Sequence, residues 1–298
     1  MRRAISACAL AASQALTLQP AAAQEDGRRG ALLERLRARG RGDTGAESAQ
    51  IAGLRVSIWR PAGSGRAPLV IFSHGFHGTS TQSAFLMRAL AGAGYLVIAP
   101  NHKDAGMGGG LRERPEMGFG KPDSWTDATY RDRRDDITSL VRALKADPQW
   151  TAAIDWSQFA LAGHSLGGYT VLALAGGWPS WKLPEVKAVL ALSPYAAPFI
   201  EKHTLRGLAV PVMYQGGTRD IGITPGIGKG GGAFDQTPGP AEYVEFQGAG
   251  HLAWTDLVRD FQSSVDAYCL AFLNRYVRGD RAADPAKRLG DVADLRIR

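Results

Sequence analysis

The sequence predicts a single α/β domain with a mostly parallel central sheet flanked by helices, and three observations carry that prediction. From residue 51 onward, short β-rich runs alternate with helical stretches, a pattern that calls for right-handed crossovers and parallel strands. Several of those runs, such as "PLVIFSHG" (68–75) and "YLVIAP" (95–100), are apolar throughout instead of alternating, as strands buried on both faces must be. No break in composition and no internal repeat interrupts the alternation. The 298 residues are 45% hydrophobic and 21% charged, an ordinary globular balance with enough apolar material for one large core.

Taken in order, "LRVSIWRP" (54–61) alternates like a strand and stops at a proline. "PLVIFSHG" is the first fully buried strand. "SAFLMRALAGAG" (83–94) has a helical apolar period and ends in glycine, and "YLVIAP" returns to the sheet. "ATYRDRRDDITSLVRALKAD" (128–147) is a charged amphipathic helix. "FALAGHS" (159–165) is a strand and "LGGYTVLALAGG" (166–177) the helix that follows, closed by glycines. "VKAVLALSP" (186–194), "VPVMYQGG" (210–217) and "AEYVEFQG" (241–248) are further strands, and "TDLVRDFQSSVDAYCLAFLNRYV" (255–277) is the last helix. Two long connections stand out, residues 101–127 and the glycine-rich 216–240, and connections of that length are usually functional or disordered. Residues 193–209 leave room for one helix only, so no large lid is expected there.

The N-terminus reads as an export signal. Arg2 and Arg3 precede a short apolar run, and Ala21-Ala22-Ala23 supplies small residues for cleavage before the polar Gln24-Glu25-Asp26. The run is too short and alanine-rich to be a comfortable membrane anchor, so no stable membrane insertion is expected. The resulting organisation is a signal peptide at 1–23, a basic arm at 24–50, a catalytic domain at 51–280 and a C-terminal tail at 281–298, with periplasmic or secreted localisation. The net charge of +7 is concentrated in "RRGALLERLRARGR" (28–41), where no aromatic residue interleaves the basic ones, so a solvated arm is expected and nucleic-acid binding is not. Of the two cysteines, Cys8 falls in the signal, and Cys269 alone cannot form an internal disulfide; its apolar-periodic setting suits a small buried hydrophobe.

The chemistry centres on "LAGHSLGGYT" (161–170). Gly163-His164-Ser165-Leu166-Gly167 fits Gly-x-Ser-x-Gly between a strand and a helix, the context of a nucleophile elbow. The turn is so sharp that side chains at 163 and 167 would collide, hence glycine at both; it lifts the Ser165 hydroxyl above the sheet and aims the Leu166 N–H at the same space. A tight strand–helix packing turn would use the same glycines, so three other features matter. "FSHGFHG" (72–78) follows a buried strand and suits an oxyanion loop, with the Phe76 N–H as second donor. Asp220 directly follows the strand "VPVMYQGG", where an acid can orient a histidine; Asp235 and Asp256 compete but follow no strand directly. His251 lies in "GAGH", on a short glycine loop beyond the last strand. The order Ser165, Asp220, His251 is that of α/β-hydrolases and differs from both protease orders. His164 reads as a bystander, His74 and His77 as structural, and a metal site at His74, His77 and His102 lacks carboxylate spacing.

On "FSHGF", "PNHKDAG", "AGHSLGGYT", "GGTRD" and "GAGH", residues 51–277 resemble the α/β-hydrolase superfamily, in particular dienelactone hydrolase-like esterases, platelet-activating-factor acetylhydrolases and bacterial cutinases or polyesterases. Dienelactone hydrolases carry a cysteine at the elbow where this chain has Ser165, so the resemblance implies a general carboxylester hydrolase instead. It also implies a Ser165–His251–Asp220 triad, an oxyanion hole at Phe76 and Leu166, an acyl-enzyme intermediate, and no metal or organic cofactor. An ester is the expected partner, and the oligomeric state stays open.

His102 and Asp104, in "NHKDAG", end another parallel strand and are candidates either to line the substrate pocket or to support the oxyanion loop. Trp125, Trp181 and Trp254 are candidate pocket walls, although most tryptophans are simply large core residues. The expected lack of a lid favours bulky or polymeric esters. Competing readings are a lipase or acetylhydrolase on lipid esters, a peptidase on the same fold, and a non-catalytic hydrolase-fold binding protein, which would usually show a broken triad.

Overall fold

The computed structural model describes residues 44–106 and 114–298. Among them, nine strands form one sheet in the order β1-β2-β4-β3-β5-β6-β7-β8-β9. The strands are β1 (Glu47–Ile51), β2 (Leu54–Trp59), β3 (Ala67–Ser73), β4 (Leu96–Pro100), β5 (Ile154–His164), β6 (Ala188–Leu192), β7 (Val212–Gly217), β8 (Ala241–Phe246) and β9 (Val292–Ile297). From β4 through β8 every neighbouring pair is parallel; β1 with β2, β2 with β4, and β8 with β9 are antiparallel. The central strands β3, β4 and β6 are buried along their whole length, which is why they read as unbroken apolar runs.

Helices cover both faces. On one face α1 (Ala84–Gly92) packs with the long C-terminal helix α8 (Gln262–Tyr276) over Val70, Val97 and Leu190. On the other, α2 (Arg131–Ala146) buries Ile137, Leu140, Val141 and Leu144 along one stripe, and α4 (Leu166–Leu172) is buried at every residue. Short helices complete the connections: α3 (Pro148–Ala153), α5 (Ala197–Glu201), α6 (Thr224–Gly228) and α7 (Ala233–Gln236).

Several boundaries differ from expectation. The sheet begins inside the expected basic arm, because Glu47–Ile51 pairs with β2. The expected tail at 281–298 likewise contains β9, which covers the edge of β8. Both are edge strands with mixed burial and polar residues, so neither carries the continuous apolar run that marks the central strands. The connection 216–240 is folded into α6 and α7. The helix expected over 166–177 ends at Leu172 in a wider turn, with Gly176 at φ 125°. The last helix starts at Gln262, and in the segment before it Asp256 turns its carboxylate to the N-terminus of α1, accepting from the Ala84 and Phe85 N–H at 2.6 and 3.0 Å. The expected signal peptide and the basic run 28–41 lie outside the described residues. No helix among the described residues is long and apolar enough to cross a membrane. Cys269 is buried and unpaired by disulfide.

Candidate active site

Ser165 sits at the end of β5 with φ 56° and ψ −115°, a conformation that L-residues rarely adopt and that surrounding structure must enforce. The enforcement is visible at the glycines. A Cβ at Gly163 would lie 2.3 Å from the Gly167 carbonyl oxygen, and one at Gly167 would lie 1.9 Å from the Ser73 oxygen, so neither position admits a side chain. The Ser165 N–H donates to the Leu192 carbonyl at 3.0 Å and its own carbonyl accepts from the Tyr195 N–H at 3.0 Å, fastening the elbow to the end of β6.

The loops after β7 and β8 bring two residues to this elbow. Ser165 Oγ is 2.9 Å from His251 Nε2, and His251 Nδ1 is 3.2 Å from Asp220 Oδ2. Asp220 is buried, while Ser165 and His251 are partly open to solvent. The other two acids that competed for the role are elsewhere: Asp256 caps α1, and Asp235 binds the Gly231 N–H at 2.9 Å.

Two backbone amides adjoin the elbow, in the chain or against it. The Phe76 and Leu166 N–H groups donate to no acceptor among the described residues. The loop carrying Phe76 abuts the elbow, since a Cβ at Gly75 would lie 3.3 Å from that of Ser165. Leu166 opens α4, whose unsatisfied N–H groups favour negative charge.

Beneath the loop lies a buried polar cluster. Arg133, fully buried on α2, donates to both oxygens of Asp104 at 2.9 and 2.8 Å, to the His74 carbonyl at 2.7 Å and to Ser73 Oγ at 3.3 Å. Asp104 in turn accepts from the His77 N–H at 3.3 Å. Burial raises the Asp104 carboxyl, and the Arg133 guanidinium, together with His74 and His102, outweighs it and holds the group below the usual carboxylate range. His102 joins Ser73 Oγ through Nε2 at 2.9 Å and Asp136 through Nδ1 at 2.8 Å. This is a second Ser-His-Asp chain, but Ser73 is fully buried and offers no surface to a substrate. Burial, with Arg133 next in effect, pushes the pKa values of His74 and His102 well below the ordinary histidine range, so both are neutral donors and acceptors.

The candidate pocket residues need correction accordingly. His102 and Asp104 are each 3% exposed and hydrogen-bond to the end of β3 and the loop after it, at Ser73 and His77, instead of presenting a surface over Ser165. His102 also borders a cavity of about 400 Å³ with Asn101 and Asp136, which no member of the Ser165 cluster lines. Trp125, Trp181 and Trp254 are all buried, with their indole N–H groups bound to Gly118 O, Asp127 O and Gln215 Oε1. Large aromatic area drives them into the core, and none is a pocket wall.

Three residues escape the sequence reading. Ser193, at the end of β6 with φ 42°, donates its hydroxyl to Asp220 Oδ2 and sets its oxygen 2.9 Å from His251 Nδ1. Gln82 and Arg133 act through long-range contacts; only the phase of Arg133, four residues before the buried Ile137, hinted that it points inward. His164, read as a bystander, is held between Gln82 Nε2 at 3.1 Å and the His251 carbonyl at 2.8 Å.

Comparison with known proteins agrees with this architecture. The family model Hydrolase_4, described as serine aminopeptidase S33, matches residues 65–213, a stretch that contains Phe76 and Ser165 but not Asp220 or His251. Cutinase est2 of Thermobifida alba is 25% identical over 248 residues, covering 80% of this chain and 71% of its own length. Cutinase est1 of the same organism is 25% identical over 245 residues, covering 80% and 72%. With half of its length matched by that model and a mostly parallel sheet carrying a serine elbow, the chain belongs to the Hydrolase_4 (serine aminopeptidase S33) family of α/β-hydrolases.

Proposed function

We propose that the protein is an exported serine carboxylester hydrolase that works through an acyl-enzyme. The observation that carries this is the continuous contact from Ser165 Oγ to His251 Nε2 at 2.9 Å and from His251 Nδ1 to Asp220 at 3.2 Å, beside two unspent backbone N–H groups. His251 takes the Ser165 proton on Nε2 as the oxygen attacks the ester carbonyl. Asp220 accepts from Nδ1–H, which fixes the tautomer and stabilises the imidazolium. The Phe76 and Leu166 amides receive the developing oxyanion, an interaction that typically contributes about 3 kcal/mol per donor to the transition state. The alcohol leaves with the proton from His251, and water repeats the sequence in reverse to free the acid.

Bulky or polymeric esters are the proposed substrate class. Ile221, directly after Asp220, is 82% exposed, and Leu252, directly after His251, is 44% exposed, so apolar side chains adjoin two residues of the reaction centre. The relatives named as cutinases point the same way. The family description raises a second reading, an aminopeptidase. Export is proposed on the 1–23 pattern alone.

One assay series tests these readings. The protein is offered p-nitrophenyl esters of increasing acyl length, a polyester film and amino-acid p-nitroanilides, with Ser165→Ala as control. Ester turnover should fall by at least about 10³-fold in the variant. Undiminished turnover by Ser165→Ala overturns the mechanism, and cleavage of anilides over esters replaces it with the peptidase reading.

A further inference from the structure

We propose that Gln82 and His164 form a positioning relay that sets the oxyanion loop and the His251 loop against each other. The proposal rests on the esterase reading above.

The proton positions along the relay are dictated by chemistry. The His251 carbonyl can only accept, so His164 Nε2, 2.8 Å away, carries the hydrogen. A neutral imidazole then presents a bare Nδ1, which accepts from the Gln82 amide nitrogen at 3.1 Å. That orients the Gln82 amide, whose Oε1 accepts the Gly75 N–H at 3.0 Å. Gln82 Nε2 also lies 3.4 Å from Ser83 Oγ, and the chain runs from the N–H of Gly75, the residue before Phe76, to the backbone of the general base. Burial, followed by the influence of His251, pushes the His164 pKa down to about 3, so the neutral form persists throughout the working range of an esterase.

A second set of bonds runs parallel to the first. The Gln82 carbonyl accepts the Asp256 N–H at 2.8 Å, Ser83 Oγ donates to the Trp254 carbonyl at 2.6 Å, and Asp256 caps α1. Residues 82–85 and 251–256 are therefore one hydrogen-bonded unit. The relay is the branch of that unit that reaches the reaction centre, passing behind Ser165 through the residue before it in sequence. A Cβ at Gly75 would lie 3.2 Å from His164 Nδ1, so a side chain on the loop there would press on the relay. Breaking the relay leaves the nucleophile in place and loosens both the acceptor of its proton and the donors to its oxyanion. The loss therefore belongs in kcat, with substrate binding little affected.

The test compares His164→Phe and Gln82→Met, which keep approximate shape and remove the hydrogen bonds, with their double variant. All are assayed with a p-nitrophenyl ester and by labelling of Ser165 with a p-nitrophenyl phosphonate, alongside thermal midpoints. Each single variant should lose roughly tenfold in kcat with KM within about twofold, as expected of a small misplacement of catalytic groups. The double variant should lose no more than the worse single one, because both interrupt the same chain. Gln82 is only partly buried, so Gln82→Met remains informative even where His164→Phe lowers folding yield. Unchanged kcat in Gln82→Met, or a double variant whose loss is the product of the single losses, overturns the relay while labelling still supports the esterase reading. A wild-type protein that the phosphonate does not label overturns the esterase reading, and the relay with it.

Discussion

Replacing Arg133 by methionine is the sharpest test of how the loop carrying Phe76, the proposed oxyanion loop, is held. The substitution keeps much of the length and apolar stem of the side chain and removes its guanidinium, which makes five hydrogen bonds to Ser73, His74, Gly75 and Asp104. Asp104, only 3% exposed, is then left as a buried carboxylate without its counter-charge. Removing one partner of a buried pair costs about 3–5 kcal/mol, which for a domain of this size lowers the thermal midpoint by roughly 10 °C. The same charge relation sets an acid limit in the wild type. The folded-state pKa of Asp104 is depressed, so its contribution to stability is present above the unfolded value of 3.8 and is lost as pH falls through the lower folded value. Denaturant titrations at pH 8 and pH 3 measure both effects. The Met variant should be less stable at pH 8, with the gap narrowing in acid. A loss under about 1 kcal/mol at pH 8, or a gap that does not depend on pH, would refute the reasoning that this pair supports the loop.

Two other substitutions probe separate links. Ser193→Ala removes the hydroxyl shared between Asp220 and His251 Nδ1; because the direct Asp220–His251 contact is a long 3.2 Å, kcat should fall roughly tenfold with KM unchanged in steady-state ester assays. Glu242 on β8 is 1% exposed, and burial raises its pKa from 4.5 to about 7. The folded protein thus holds this proton more tightly than the unfolded chain, so stability falls as pH rises from 4.5 to about 7 and the penalty is complete above that. Glu242→Gln should raise stability above pH 7 by up to about 3 kcal/mol and have a diminishing effect below pH 5, measured as denaturant midpoints across pH.

The parts of the molecule visible in the sequence are those governed by short-range rules. The central strands announce themselves as unbroken apolar runs, and Ser165, Asp220 and His251 each follow a parallel strand at once or by a few residues. The strands β1 and β9 lie at sheet edges, where polar and apolar residues mix, and no local period separates them from loop. Ser193 looks like a turn residue before Pro194, and its role arises only because β6 and β7 are neighbours in the sheet. Arg133 sits in "RDRRDD", where charge suggests a solvated face, although its phase places it on the stripe of Ile137 and Leu140. The tryptophans err the other way: aromatic size is compatible with a pocket wall and with a core, and burial decides for the core.

The cap that Asp256 gives to α1 joins segments about 170 residues apart in the chain, at 2.6 and 3.0 Å. A chimera that takes residues 74–90 from one homologue and 250–260 from another would pair a helix start with a carboxylate evolved for a different neighbour. Crossover points for recombination are therefore safer outside both segments, and libraries that vary one should vary the other with it. By the same logic, a substitution at Asp256 and one at residues 82–85 should be inherited as a pair, so the trace of this contact belongs in covariation between the two segments more than in the identity of either residue.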